Sequence, residues 1–222
     1  MTGGFLVQRY FPTLKIGVVP TALRNGRAVR IHVAQGDWDS ACGAHCAAMA
    51  LSLLGEIGDA PAICERRNGV AARLFREARV TYFDGATVDQ MASMISALRT
   101  GRAVKRFTGH HRACVDFIRQ EITKNNVVIV SWRSKRGNQH HWVLIVGIEG
   151  VQTGKTFVPH AFLAMDPGVA EPVLAGCNGR IEFAQSVAQS RSYVRYLTAD
   201  GTTLLVRITS ALSIAGHAKS PR

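Results

Sequence analysis

The pattern of apolar and polar residues divides the chain into a helical region followed by a β-rich region. Nearly every residue from 41 to 54 is small or apolar, with Ser40 as the predicted N-cap and Gly55 at the C-cap position. This stretch is apolar on all sides and therefore predicts a buried helix. A capping-box pair, Thr87 and Gln90, precedes another predicted helix. The shorter predicted helices cover 61–67, 70–79, 88–99 and 111–123.

The chain becomes rich in β-branched and aromatic residues after position 126. The predicted strands cover 127–132, 141–148, 157–165, 193–198 and 202–209. Asp200-Gly201 predicts a hairpin between the last two, and Asn25-Gly26 predicts another within the β-rich segment 13–35. Helices followed by strands predict an α+β architecture, in which a helical first half packs on a mostly antiparallel sheet from the second half.

Length and composition favour one domain. A chain of 222 residues with 47% hydrophobic content is long enough to bury a sizeable core. We expect a single domain over 1–214, with 1–34 as a β-rich N-terminal extension and 215–222 as a disordered tail.

The charge balance narrows the class of partner. Lys and Arg number 27 against 15 Asp and Glu, a formal net charge of +12. This excess favours an acidic protein or peptide partner or an anionic surface, with a solvated basic face as the alternative. No basic run is interleaved with aromatic residues, which argues against nucleic acid.

Cysteine usage and the N-terminus bear on the compartment. Five cysteines at irregular spacing fit neither a disulfide framework nor a zinc ribbon, so we expect a reducing compartment. Residues 1–11 carry no basic segment followed by an apolar core, and no apolar run is long enough for a transmembrane segment. These features predict a cytoplasmic protein, and export without a signal peptide stays open.

Cys42 stands at the predicted start of the apolar helix. The positive end of the helix dipole and the unpaired first-turn amides favour the thiolate at such a position. The Cys42 amide and the Gln35 side-chain amide are candidate donors to an oxyanion, and Gly43 would let a substrate backbone approach. Taken singly, a Cys-Gly pair in an Ala-rich helix more often reflects packing.

His141 is the candidate general base. Side chains alternate along a strand, so His141 shares a face with Val143, whereas His140 points to the other face with Trp142. His45 is a rival base, nearly one turn along the helix from Cys42, but its place further into the helix would direct it away from the thiol.

Asp166 is the candidate that orients the histidine. It follows a predicted strand and precedes Pro167-Gly168, so its carboxylate would lie beside the strand of His141 and hold the imidazole in one tautomer. The simpler alternative is an Asp-Pro turn. Order and context across all four positions favour the catalytic interpretation.

The combined pattern resembles a known family. A glutamine before a cysteine that opens an apolar helix, a His-aromatic pair leading into a valine-rich strand, and a later Asp-Pro resemble the papain-like cysteine peptidases, in particular the bacteriocin-processing, double-glycine leader peptidases. The resemblance implies a papain-like fold, with Cys42 as nucleophile, His141 as general base, Asp166 as orienting acid and Gln35 as oxyanion donor. The segment 149–159, longer than in those peptidases, predicts an extended hairpin near the cleft.

The sequence thus predicts a thiol peptidase or amidase that hydrolyses a peptide or isopeptide bond in a protein or peptide substrate, without metal or cofactor. An acyltransferase of the transpeptidase or transglutaminase-like kind would use the same triad. A non-catalytic basic binding module is the alternative from another class, and it predicts that Cys42 is no more reactive than the other thiols.

Overall fold

The later part of the chain folds into a closed barrel of antiparallel strands. The computed structural model describes residues 4–37, 39–137, 140–184 and 192–216. The barrel strands are β6 (Val127–Ser134), β7 (His140–Thr153), β8 (Thr156–Met165), β9 (Gly179–Glu182), β10 (Val194–Thr198) and β11 (Thr203–Ile214). They pair in the order β7-β6-β11-β10-β9-β8, and the pairing of β8 with β7 closes the ring.

Strands from the first half extend this sheet, and a small second sheet lies near the N-terminus. β1 (Phe5–Tyr10) pairs with the later part of β7, and β5 (Val104–Thr108) pairs with the end of β11. β2 (Leu14–Lys15), β3 (Thr21–Arg24) and β4 (Arg27–Arg30) form a separate three-stranded sheet.

Four α-helices accompany the barrel in the described ranges. They are α1 (Cys42–Leu53), α2 (Gly69–Ala78), α3 (Val88–Ala97) and α4 (His111–Thr123). Two short 3-10 helices cover Ala60–Glu65 and Arg79–Thr81. None of the helices in these ranges combines the length and the apolar character needed to cross a membrane.

Alternation along the barrel strands creates two cores. One face of each strand points into the barrel, where Val130, Val143, Phe162 and Tyr196 are buried together. The other face of β7 carries Trp142 and Leu144, which pack with the helices in a second core. The Cys46 thiol of α1 donates to the Trp142 carbonyl at 3.3 Å, so α1 lies against the outer face of β7.

The predicted fold class is wrong. We expected a papain-like α+β fold with a helical first half, but the structure has a closed six-stranded antiparallel barrel to which the helices are a minor addition. Periodicity indicates where strands lie but not which edges pair. β7 is 14 residues long and pairs with β6, β8 and β1, so the sheet closes on itself.

Several local predictions are confirmed. Asn25 and Gly26 have φ of 49° and 76° in the turn between β3 and β4, and Gly201 has φ of 87° in the turn between β10 and β11. The Thr87–Gln90 capping box is present at α3. The segment 149–159 does belong to an extended hairpin of β7 and β8, but its turn lies at the opposite end of these strands from His141 and Asp166, so its predicted place near the cleft is wrong.

Two predictions differ from the structure, the N-cap of α1 and the start of the disordered tail. Ser40 is not the N-cap of α1; Ala41 holds that position, and its amide donates to the Asp39 carboxylate at 2.9 Å. Of the predicted tail, the Ala215 and Gly216 amides hydrogen-bond to Ala103 and Asn126, and residues 217–222 lie outside the described part.

Candidate active site

Three elements meet at one rim of the barrel. β7 begins at His140 and β8 ends at Met165, and their antiparallel register sets Leu144 opposite Met165. The start of β7 and the residue after β8 therefore lie side by side. α1 packs on the outer face of β7, which places Cys42 at its N-terminus near the same rim.

His141 and Asp166 form a close pair at this rim. The His141 Nε2 atom lies 2.6 Å from the Asp166 Oδ1 atom, and the side chains are 21% and 4% exposed. The carboxylate accepts a hydrogen bond from Nε2, so the Nδ1 atom of the ring is left for another partner. The ring packs beside Trp132, with centroids 5.1 Å apart.

Cys42 is the second partner of His141, and the pair favours a charged imidazole. Burial acts to lower the pKa of His141, but the hydrogen bond to Asp166 and the nearby Cys42 side chain outweigh it and raise the pKa to about 9. At neutral pH the ring is therefore protonated. A protonated imidazole next to a cysteine is a general feature of reactive thiol sites.

The surroundings of Cys42 suit a nucleophile at a helix start. The residue is only 6% exposed, and its Sγ atom lies 3.9 Å from the Ser40 carbonyl oxygen. The Cys42 amide belongs to the first turn of α1 and has no hydrogen-bond partner within the described residues. It is thus available to donate to a negatively charged oxygen near the sulfur.

Asp166 is held by a network of buried donors. Oδ1 also accepts from the Gly168 amide at 2.7 Å, and Oδ2 accepts from the Tyr196 hydroxyl at 2.5 Å. The Asp166 amide donates to the Asn178 side chain at 2.6 Å. Burial acts to raise the pKa of Asp166, but the hydrogen bonds from His141, Tyr196 and Gly168 leave the pKa lowered. The carboxylate is therefore ionised and fixed in direction.

Tyr196 and Asn178 were not predicted from the sequence. Tyr196 is 1% exposed, and burial raises its pKa well above the ordinary value. A Cβ on Gly179 would lie 2.6 Å from the Tyr196 hydroxyl, so the glycine leaves space for the phenol. A signal was available: Tyr196 shares a strand face with Val194, and a buried phenol requires a hydrogen-bond partner.

Gln35 lies beside the loop that follows Asp166. Its amide donates to the Pro167 carbonyl at 2.7 Å, and its side-chain Nε2 donates to the Asp39 carbonyl at 2.6 Å. The Oε1 atom is buried without a partner among the described residues. One of the two Nε2 hydrogens is thus committed to Asp39, and the oxyanion role of Gln35 stays a prediction.

Within the described residues, neither His140 nor His45 forms a hydrogen bond with Cys42 or Asp166. His140 is exposed, and its Nδ1 atom lies 3.5 Å from the Thr209 hydroxyl. His45 has a buried Nδ1 atom without a partner in the described part, and burial lowers its pKa. His141 is the histidine that the structure brings to both Cys42 and Asp166.

Gly43 serves packing and not substrate access. A Cβ at this position would lie 2.8 Å from the Met91 sulfur and 3.2 Å from the Trp142 ring. The glycine lets these two side chains press against the first turn of α1. The prediction that Gly43 makes room for a substrate backbone is therefore wrong.

Comparison with known proteins does not indicate a function, so the function is inferred from the geometry of the site. No protein-family model and no curated protein matches this chain. Within the described residues, no group of three or more His, Cys, Asp or Glu side chains is arranged to hold a metal ion. The chemistry proposed below therefore starts from the Cys42, His141 and Asp166 side chains.

Proposed function

We propose that this protein is a cysteine hydrolase that cleaves a peptide or isopeptide bond. One observation carries the proposal: the His141 ring hydrogen-bonds with a buried carboxylate through Nε2, at 2.6 Å, and lies close enough to Cys42, at the N-terminus of a helix, for that side chain to raise the pKa of the ring. This is the arrangement of nucleophile, base and orienting acid that acyl-group chemistry requires.

Each residue has a defined role in the first half of the reaction. The Cys42 thiolate attacks the substrate carbonyl carbon and forms a tetrahedral intermediate with a negatively charged oxygen. The Cys42 amide donates to that oxygen, with the remaining Nε2 hydrogen of Gln35 as the second donor. The His141 imidazolium gives its Nδ1 proton to the leaving amine, the carbon–nitrogen bond breaks, and a thioester on Cys42 remains.

Water completes the reaction. The neutral His141 ring removes a proton from water, and the resulting hydroxide adds to the thioester carbon. Collapse of the second tetrahedral intermediate breaks the carbon–sulfur bond, releases the acid product and restores the thiolate–imidazolium pair. Asp166 holds the proton on Nε2 throughout, so Nδ1 always faces the sulfur and the scissile bond.

The order of the motifs supports the peptidase assignment. Gln35, Cys42, His141-Trp142 and Asp166-Pro167 follow each other as they do in the cysteine peptidases that the sequence resembles. The proposal does not include the papain-like fold, because the barrel replaces it. It rests on the local contacts and on that order.

Selective alkylation tests whether Cys42 is activated. Burial raises the pKa of Cys46, raises that of Cys114 to about 11, and raises that of Cys177, which leaves the exposed Cys64 as the natural comparison. We expect iodoacetamide at pH 6 to modify Cys42 before Cys64, although Cys42 is far less accessible. Faster reaction at Cys64, read by peptide mass spectrometry, would overturn the proposal.

Turnover is tested with a matched pair of variants on a peptide library. Cys42→Ala should abolish cleavage while leaving the circular dichroism spectrum unchanged, and Cys64→Ala should retain full activity. Cleavage by Cys42→Ala would reject the assignment.

Addition of a primary amine to the wild-type reaction identifies acyl transfer, since the amine then replaces water in the product.

A further inference from the structure

A cavity away from the proposed nucleophile lies where β11 changes its neighbour. β10 pairs with β11 up to Val206, and β5 pairs with it from Ser210 onward. The N-terminus of α4 fills the gap between them: the Gly109 amide donates to the Thr209 carbonyl at 3.4 Å, and the Ile208 amide donates to the His111 Nδ1 atom at 3.2 Å. A cavity of about 500 Å³ opens here.

His111 lines this cavity and carries a hydrogen-bond donor. The residue is 6% exposed and lines the cavity. A backbone amide can only donate, so the Nδ1 atom that faces Ile208 must accept, and the proton of the neutral ring resides on Nε2. Burial and the charge of Arg207 lower the pKa of His111, which keeps the ring neutral. Within the described residues, Nε2 has no hydrogen-bond partner.

The remaining lining supplies positive charge and further donors. Arg112 and Arg207 both line the cavity, and neither forms an ion pair within the described ranges. The amides of His111 and Arg112 lack intrahelical acceptors because they lie in the first turn of α4, and the His110 side chain caps the Ala113 amide instead. No acidic residue is among the described residues that line the cavity.

We propose that this cavity binds an oxyanion, a carboxylate or a phosphate group, through His111, Arg112, Arg207 and the N-terminus of α4. Two guanidinium groups, an unpaired imidazole N–H donor and unpaired helix amides all favour a compact anion and disfavour a cation. The Ser192 side chain adds a hydroxyl to the lining. This inference goes beyond the proposed hydrolysis, since binding needs no turnover.

The same chemistry has two possible sources, a free phosphate ion and an acidic residue of a peptide. Thr209 lines the cavity and its hydroxyl lies 3.5 Å from His140, the residue before His141. An acidic side chain of a bound peptide is therefore within reach of the cavity while the chain passes the barrel rim. The experiment separates the two sources by using both ligands.

The test follows the His111 ring protons by NMR while a ligand is added at pH 7.5 and constant ionic strength. The probes are inorganic phosphate in one titration and the peptide acetyl-Ala-Glu-Ala-amide in the other. We expect a saturable shift with at least one of them, and the tighter ligand identifies the source. If neither produces a saturable shift, the proposal fails.

Variants distinguish a built site from general attraction to a basic protein. Arg207→Gln or Arg112→Gln should weaken binding about tenfold, the loss of roughly one charge-assisted hydrogen bond. Arg27→Gln removes the same charge from an exposed position on β4 and should leave the affinity unchanged. Equal weakening by Arg27→Gln and Arg207→Gln would show that only net charge attracts the anion, and would overturn the proposal.

Discussion

Replacing Asp166 by asparagine removes the negative charge next to His141 at nearly constant side-chain size. The pKa of His141 lies at about 9 against an ordinary value of 6.5, although burial alone acts to lower it. At about 1.4 kcal/mol for each pKa unit, this corresponds to about 3 kcal/mol of preference for the imidazolium. The hydrogen bond to Asp166 is the largest contribution that raises this pKa.

We therefore expect Asp166→Asn to lower the His141 pKa by more than one unit and to reduce Cys42 alkylation at neutral pH at least about tenfold. In the wild type, kcat/KM should fall as pH rises through about 9, because the imidazolium that protonates the leaving amine is lost. In the variant this fall should occur at lower pH. The assay is the pH profile of peptide hydrolysis together with the alkylation rate.

The same shift predicts a change in stability. The folded pKa of His141 exceeds its ordinary value, so the stabilisation is fully present below pH 6.5 and disappears as pH rises to about 9. Urea denaturation should show this loss in the wild type and a smaller one in Asp166→Asn. Asp116→Asn, an exposed substitution on α4, is the charge-matched control. If kcat/KM of Asp166→Asn still falls only near pH 9, as in the wild type, the reasoning is refuted.

Four further substitutions test other contacts of the site. His141→Asn should abolish hydrolysis while His140→Asn retains it, and the reverse result would contradict the placement of the base on the inner strand face. Tyr196→Phe removes the 2.5 Å hydrogen bond to the buried carboxylate and should cost about 2 kcal/mol in urea denaturation, with lower but measurable turnover; unchanged stability would argue against that bond. Gly43→Ala sets a methyl group 2.8 Å from the Met91 sulfur and should destabilise the protein by about 1–3 kcal/mol, so an equal or higher Tm would show that the first turn of α1 can shift freely.

Much of the local structure follows from short-range patterns in the chain. The all-apolar stretch after Ala41 predicts α1 because a helix of that composition is stable only when buried. Asn-Gly and Asp-Gly predict two hairpins because these pairs tolerate the positive φ that tight turns need. Local sequence also places Cys42 at a helix start, which is a property of consecutive residues.

The strands β1, β5 and β9 could not be predicted from the pattern of apolar and polar residues. β1 is largely exposed, and β9 is only four residues long, so neither shows a clear apolar alternation. β5 is similar, with Lys105 and Arg106 in its centre. Their positions depend on the free edges of β7, β8 and β11, which are set by pairing between residues far apart in the chain.

By itself the sequence determined the helices, the hairpin turns and the four residues to consider for catalysis, because these depend on composition and spacing within a few residues. Only the tertiary structure decided that the sheet closes into a barrel, since closure is a choice among strand edges of similar local character. That choice also brings Tyr196 to Asp166. Side chains separated by many residues meet only where the folded backbone places them.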